Sequence, residues 1–192
     1  MTKGVFMIFN RVLNLLVVFS LFLVCFAEVS FAQTPEDLAL HVEQIMQCIK
    51  NNQIPMAKAQ VARFYAPEHR EFLKETFGDE LGSAYSRDFQ ERVLSLANFV
   101  ELMTKRFQQE VNGGYAYTKC FKIDKPADIP IWVERRQQIF LLQNMKKPVS
   151  LYEIMLYTSR DSDSCRPIAN FVIIKGSFKL IGQPSGATCG LN

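Results

Sequence analysis

The chain has 192 residues, with 22 Lys and Arg against 19 Asp and Glu, and 48% of its residues are hydrophobic. It is too apolar and too weakly charged to be a disordered chain. A net charge of +3, with no local run of Lys or Arg, excludes the electrostatic surface that nucleic-acid binding needs. The length is that of about one domain.

The first 32 residues have the pattern of a secretory signal peptide. Lys3 and Arg11 supply the positive start, an apolar stretch follows, and a Ser-Phe-Ala sequence ends at Ala32. We predict cleavage after Ala32 and a single secreted or periplasmic domain over residues 33–192, which meets a membrane only through the signal segment. An uncleaved membrane anchor is the alternative interpretation.

Helical patterns occupy the first part of this domain, over about residues 35–112. Thr34 is typical of a helix cap, and two short helices are predicted to begin near Pro55 and Pro67, the second of them ending at Gly78. The longest apolar pattern repeats every three or four residues and predicts one continuous helix. Its apolar residues are Leu81, Tyr85, Phe89, Val93, Leu96, Val100, Met103, Phe107 and Val111.

Alternating patterns, typical of β-strands, follow over about residues 115–182, and residues 183–192 are predicted to be an irregular tail. The segment 150–158 is apolar on both of its faces, and the last two strands meet at a short hairpin over Lys175-Gly176. Further alternation is seen at Ile129, Ile131 and Val133, and at Ile139 and Leu141. Helices that precede an antiparallel sheet predict an α+β fold, with N-terminal helices packed on a curved antiparallel sheet of four to five strands.

Four cysteines remain after cleavage, and an even number in an exported chain favours disulfides. They allow three pairings. Two chain reversals in the predicted sheet bring the chain back past Cys165, so we predict a Cys165–Cys189 bridge and, by elimination, a Cys48–Cys120 bridge. The spacings do not fit a zinc site, and no metal is predicted.

The final hairpin, from Phe171 to Gly182, resembles the closing strands of the NTF2-like (cystatin-like) superfamily. The stretch from Met145 to Tyr152 resembles exported bacterial proteins with this ending. The order of a signal peptide, then helices, then a sheet is similar to that of the periplasmic phospholipid carriers of the MlaC (toluene-tolerance) type. Leu81-Gly82 and Tyr85 are also similar to a Leu-Gly-x-Tyr region of that family. The first resemblance implies a cone-shaped sheet and the second a lipid ligand. Neither supplies a motif that fixes an activity.

A cone-shaped sheet has a concave side, and six aromatic residues are candidates to line an apolar ligand pocket there. An alternative is that these side chains fill the hydrophobic core completely. The six candidates are Tyr85, Phe89, Trp132, Phe140, Tyr152 and Phe178.

No catalytic residue is predicted, because the sequence contains none of the nucleophile-elbow, P-loop, zincin or dinucleotide-binding motifs. His41 and His69 have no acid–base partner that the sequence reveals. The Asp79-Glu80 pair follows a glycine and is best explained as the cap of a helix.

The sequence therefore favours an exported, non-enzymatic module that binds an apolar small molecule, a lipid or a partner protein, without a cofactor. One alternative is a small NTF2-like hydrolase or isomerase, which would place His69 or Asp79 in a pocket shielded from water. Another is a structural domain that buries its sheet face between two copies, as a homodimer.

Overall fold

The computed structural model describes residues 34–92, 95–129, 135–162 and 165–182, all within a unit that spans residues 33–192. The predicted signal peptide, its cleavage site and the irregular tail lie outside these ranges. No helix within them is long and apolar enough to cross a membrane. The elements are α1 (Pro35–Lys50), α2 (Ile54–Ala62), α3 (His69–Phe77), α4 (Asp79–Arg92), α5 (Leu96–Asn112), β1 (Tyr117–Ile123), a 3-10 turn (Pro126–Asp128), α6 (Arg135–Asn144), β2 (Leu151–Tyr157), β3 (Cys165–Ile174) and β4 (Ser177–Gly182).

Local sequence signals set the helix ends. The Thr34 hydroxyl accepts a hydrogen bond from the Asp37 amide at 3.3 Å, which confirms the predicted cap of α1. Gly78 ends α3 with a φ of +83°, a conformation that favours glycine.

The prediction of one continuous helix from Leu81 to Val111 is wrong. Ser95 adopts an extended conformation and caps α5 by accepting a hydrogen bond from the Asn98 amide at 3.2 Å. This cap divides the predicted helix into α4 and α5. The apolar stripe continues across the break, and periodicity alone therefore could not show it.

The four strands form one antiparallel sheet in the order β1-β2-β3-β4. The β3–β4 hairpin turns at Lys175 and Gly176, whose φ values of 49° and 73° are those of the twisted two-residue turn that the sequence predicts. The pairing register shifts once between β2 and β3 and once between β3 and β4. Such bulges bend strands and help to curve the sheet. The predicted α+β class is confirmed.

The segment after β1 differs from the prediction. Ile139 and Leu141, expected in a strand, lie in α6. Ile139, Leu142 and Met145 recur every three residues and pack on the same core, so the alternation of two apolar residues masked a helical pattern. The predicted strand over residues 129–133 lies almost wholly outside the described residues.

Helices cover both faces of the sheet. On the face that we call the first face, α1, α2 and α5 pack against Tyr152, Ile154 and Leu156 of β2. On the opposite, second face, α6 and Phe72 of α3 belong to a separate core with Leu151, Met155 and Tyr157. All seven residues of β2 are buried, as expected for a strand that is apolar on both faces. The main helical residues of the first-face core are Leu38, Val42, Ile45, Phe99, Met103 and Phe107.

Helical segments also cover the two edges of the sheet. At the β1 edge, the Thr118 amide donates to the Glu43 carboxylate and the Thr118 hydroxyl donates to the Ala39 carbonyl, each at 2.8 Å. At the β4 edge, the Leu180 amide donates to the Phe64 carbonyl at 2.9 Å. These bonds occupy edge groups that would otherwise be open to strand pairing with a second chain.

The predicted Cys48–Cys120 bridge is wrong, because both residues are free thiols. The Glu36 charge acts on Cys120, so Cys120 lies near the start of α1. Cys48 lies near the other end of that helix, about 18 Å further along its axis, whereas a disulfide needs Cα atoms within about 7 Å. Cys165 is buried and disulfide-bonded. Its predicted partner, Cys189, lies outside the described residues, so that pairing stays a prediction.

Candidate functional site

Two of the six candidate pocket aromatics contact each other. The Tyr152 and Phe178 rings meet edge to face, with centroids 5.0 Å apart. Both are buried in the first-face core, where they pack like ordinary core residues.

The other candidates lie elsewhere or outside the description. Tyr85 on α4 is half-buried and packs edge to face on Phe77, with ring centroids 5.0 Å apart. Phe140 on α6 is 49% exposed. The Phe89 side chain and Trp132 lie outside the described residues. The described candidates thus occupy three separate places in the fold.

The two histidines are both buried. His41 packs against the Phe64 ring, with centroids 4.7 Å apart. Burial, and then the positive charge of Arg63, lower its pKa from 6.5 to about 4, so the ring is neutral near pH 7. His69 Nδ1 lies 3.0 Å from the Ala66 carbonyl oxygen, which can only accept, so Nδ1 carries the proton in this contact.

Asp79 begins α4 and is exposed, as is Glu80 beside it. The position of this pair at a helix start agrees with a capping role, in which carboxylates favour the positive end of the helix dipole. The enzyme hypothesis places either His69 or Asp79 in a shielded pocket; Asp79 is in solvent, and His69 is buried.

The second face carries a buried polar pair that the sequence interpretation missed. Glu153 in β2 is fully buried and is the register partner of Asn170 in β3, which is 6% exposed. Glu153 alternates with Leu151 and Met155, both in the second-face core, so its side chain lies on that face. Asn170 is on the same face because it is two residues from Val172 of that core.

The pair sits in the middle of a row that crosses the sheet. Phe121 of β1 is the register partner of Glu153, which in turn pairs with Asn170. Directly opposite residues in antiparallel strands have Cβ atoms about 5 Å apart, so the carboxylate and the amide can contact one ligand group.

Apolar side chains surround this row. The second-face core contains Ile139, Leu141 and Leu142 from α6, together with Val149 and Phe72. A carboxylate in such surroundings is costly, because burial removes its hydration. The Glu153 charge also acts on Cys120, which packs on the core of the first face. Burial, then the charge of Glu36 and then the charge of Glu153 raise the pKa of the Cys120 thiol to about 12.

Asn170 Oδ1 is buried and accepts no hydrogen bond from the part of the chain that the structure describes. A buried acceptor left in this condition costs about 1–3 kcal/mol. The pair is therefore an expensive feature of the core, and it places the Asn170 Oδ1 acceptor beside the Glu153 carboxyl group.

Two cations cover the end of the second face. Lys119 Nζ lies 4.7 Å from the centre of the Tyr157 ring, and the Arg160 guanidinium carbon lies 5.1 Å from the centre of the Tyr117 ring. The two tyrosines are register partners. Each cation–π contact thus holds one charge over one ring of this tyrosine pair.

The Glu153 carboxylate can bind a cation or an N–H or O–H donor, or hold a proton at one oxygen. Over the described ranges, no group of three or more His, Cys, Asp and Glu side chains could hold a metal ion. One sequence signal could have revealed this residue, since Glu153 is the single charged residue in the otherwise apolar strand Leu151–Tyr157. Neither a protein-family model, nor a curated protein, nor a solved structure matches the chain.

Proposed function

We propose that the mature domain is an exported, non-enzymatic binding module that holds an apolar small molecule or lipid against the second face of its sheet. The observation that carries this proposal is the buried pair of Glu153 and Asn170 within an otherwise apolar layer. Ligand sites typically combine apolar walls with a few convergent polar groups, which is the composition of this face.

A purely structural role explains this pair less well. Well-packed apolar residues in place of buried charged groups are often neutral or stabilising, so a core selected only for stability gains nothing from a carboxylate there. Glu is also among the residue types that are least often fully buried. A ligand that uses the polar groups gives them a purpose that folding alone does not.

The family resemblances are part of the same proposal. The likeness of the final hairpin, Phe171 to Gly182, to the closing strands of the NTF2-like superfamily is the sequence basis for that part of the proposal. A likeness to periplasmic phospholipid carriers favours the lipid version of the ligand, and the predicted leader favours export.

The test begins with the full chain expressed in a bacterial host, so that its own leader directs export. Native mass spectrometry of the exported protein should show a bound adduct that is released on unfolding, and N-terminal sequencing should begin at Gln33. A bare protein mass, together with no uptake of Nile red or of a fluorescent phospholipid, would refute the binding function.

Variants then locate the site. Replacing both Glu153 and Asn170 with Leu should abolish the adduct while the thermal midpoint is kept or raised, because an apolar pair suits this layer. Thr104→Val is the matched control, since it removes a buried hydroxyl on α5, in the other helical layer. Loss of the adduct in both variants would show a general packing effect in place of a site.

A second candidate function, a small hydrolase or isomerase, has one observation in its favour. His69 is buried, and its Nδ1 contact with the Ala66 carbonyl fixes the orientation of the ring. This candidate predicts turnover of a simple ester such as p-nitrophenyl butyrate that is lost in His69→Gln while dye binding is kept. The homodimer remains a separate proposal, which light scattering of the purified protein tests.

A further inference from the structure

We infer that the ligand of the second face carries a hydrogen-bond donor, such as a protonated amine, on an apolar body, and that Glu153 and Asn170 bind this donor together. The inference deepens the binding function proposed above and rests on it. It concerns the polar end of the ligand, because the apolar walls of the site indicate only an apolar body.

The first support is the Asn170 amide. Its Oδ1 atom is buried, and within the described ranges it has no hydrogen-bond partner. An amide oxygen only accepts hydrogen bonds. A ligand group that satisfies this atom must therefore bring an N–H or O–H donor, which removes the cost of the unfilled acceptor.

The second support is the carboxylate beside it. An ionised Glu153 also only accepts, and its two oxygens offer about four lone-pair sites, so a ligand donor can be added to the contacts that the protein itself makes. Because Glu153 and Asn170 are register partners on one face, both side chains are close enough to contact one ligand group. Hydrogen bonds to a charged partner are the strong ones, which favours a cationic donor over a neutral one.

Glu153 acts against an anionic ligand at this position. A fatty-acid carboxylate would place its charge next to Glu153 in an apolar layer, where repulsion between like charges is poorly screened. The apolar body has suitable partners, since Met155 and Val172 lie beside the pair and α6 lies over the same core. The site thus favours an amphipathic molecule with a donor at its polar end.

Three probes with one shared alkyl tail test this inference: dodecylamine, dodecanol and dodecanoate. Each is titrated below its aggregation concentration against the exported protein loaded with Nile red, and displacement of the dye is followed near neutral pH. We expect dodecylamine to bind at least about 10-fold more tightly than dodecanol, with dodecanoate weakest.

Non-specific electrostatics would give the opposite order. The predicted leader takes Lys3, Arg11 and Glu28 with it, so the mature chain keeps 20 of its 22 basic and 18 of its 19 acidic residues and carries a net charge of +2. General attraction to a positive protein favours dodecanoate, and a preference for the amine must therefore arise at the site.

Two variants assign the preference. Glu153→Gln keeps the shape of the side chain and should reduce the advantage of dodecylamine over dodecanol by about 10-fold. Asn170→Leu should weaken both donor probes and leave dodecanoate unchanged. Thr104→Val should keep the wild-type order. The wild-type probe order is itself a complete test, so a variant that fails to fold does not remove it.

The outcomes separate the two proposals. If none of the probes displaces the dye and no adduct is found, the binding function is refuted and this inference falls with it. If the probes bind equally, or dodecanoate binds best, the binding function stands and the donor inference is overturned. The same holds if Glu153→Gln leaves the advantage of dodecylamine over dodecanol unchanged.

Discussion

His41 makes the stability of this domain depend on pH in a defined window. The residue is buried against Phe64, and burial together with the charge of Arg63 lowers its pKa from 6.5 to about 4. The folded state therefore keeps the ring neutral until the pH is near 4. The unfolded chain exposes the ring to water, where it takes up a proton near pH 6.5.

The sign and size of the effect follow from this difference. Between about pH 6.5 and pH 4 the unfolded state binds more protons than the folded state. The neutral, buried His41 therefore makes its full contribution to the free energy of unfolding above pH 6.5, and this contribution is lost as the pH falls from 6.5 to about 4. One unit of pKa difference corresponds to about 1.4 kcal/mol, so the whole shift gives at most about 3 kcal/mol. We expect a loss of about 2 kcal/mol between pH 7 and pH 4.5.

Urea unfolding followed by circular dichroism measures this loss in the wild-type protein and in His41→Leu. Carboxylates such as Glu68, whose pKa is lowered chiefly by its own backbone hydrogen bond, also weaken the fold at acid pH. Their contribution is common to both proteins, and the difference between the two curves isolates His41. Thr104→Val is the control, because it perturbs a buried site without removing a titratable group. An equal pH slope in wild type and His41→Leu, or a wild type that gains stability on acidification, would refute the reasoning.

Three further predictions test the packing. Gly82→Ala would place a Cβ atom 2.4 Å from the Leu73 carbonyl oxygen. Although Ala favours a helix over Gly by about 1 kcal/mol, we expect this clash to lower the thermal midpoint by several degrees. A raised midpoint would contradict the prediction. Arg166→Gln should cost about 1–2 kcal/mol in urea unfolding, because Arg166 Nη1 lies 3.4 Å from an oxygen of the buried Glu110 carboxylate. The double variant with Glu110→Gln should recover part of that loss, and purely additive losses would argue against the pairing. The Cys120 thiol, with its pKa raised to about 12, should react with iodoacetamide at pH 8 about 1000-fold more slowly in the folded protein than in urea, and equal rates would show that the thiol is not protected.

Much of the fold could be predicted because local chemistry sets it. The cap at Thr34, the glycine stop at Gly78 and the hairpin at Lys175-Gly176 each depend on neighbouring residues only. The apolar faces of β2 correctly indicated burial on both sides. The break at Ser95 and the helix over residues 135–144 were missed, because in both segments an apolar spacing suits two structures and only a cap or a distant contact decides between them.

Of the two residues of the candidate site, the sequence can indicate Glu153 but not Asn170, and a β-bulge is the reason. Glu153 is visible as a charge inside an apolar strand, but Asn170 is placed beside it by the register of β2 against β3. Tyr157 pairs with Cys165 at one end of the β2–β3 ladder. If the pairing continued from there without a shift, Ala169 would lie opposite Glu153, and the Asn170 side chain would lie on the first face. The register shift next to Ile154 adds one residue to β3 and brings Asn170 to the second face, and a further shift follows on its other side, towards β4. Bulges are often found beside functional sites because they re-aim a side chain, and here one bulge brings the two acceptors together. No pattern in the sequence marks that extra residue, so the pair could be recognised only once the strands were aligned.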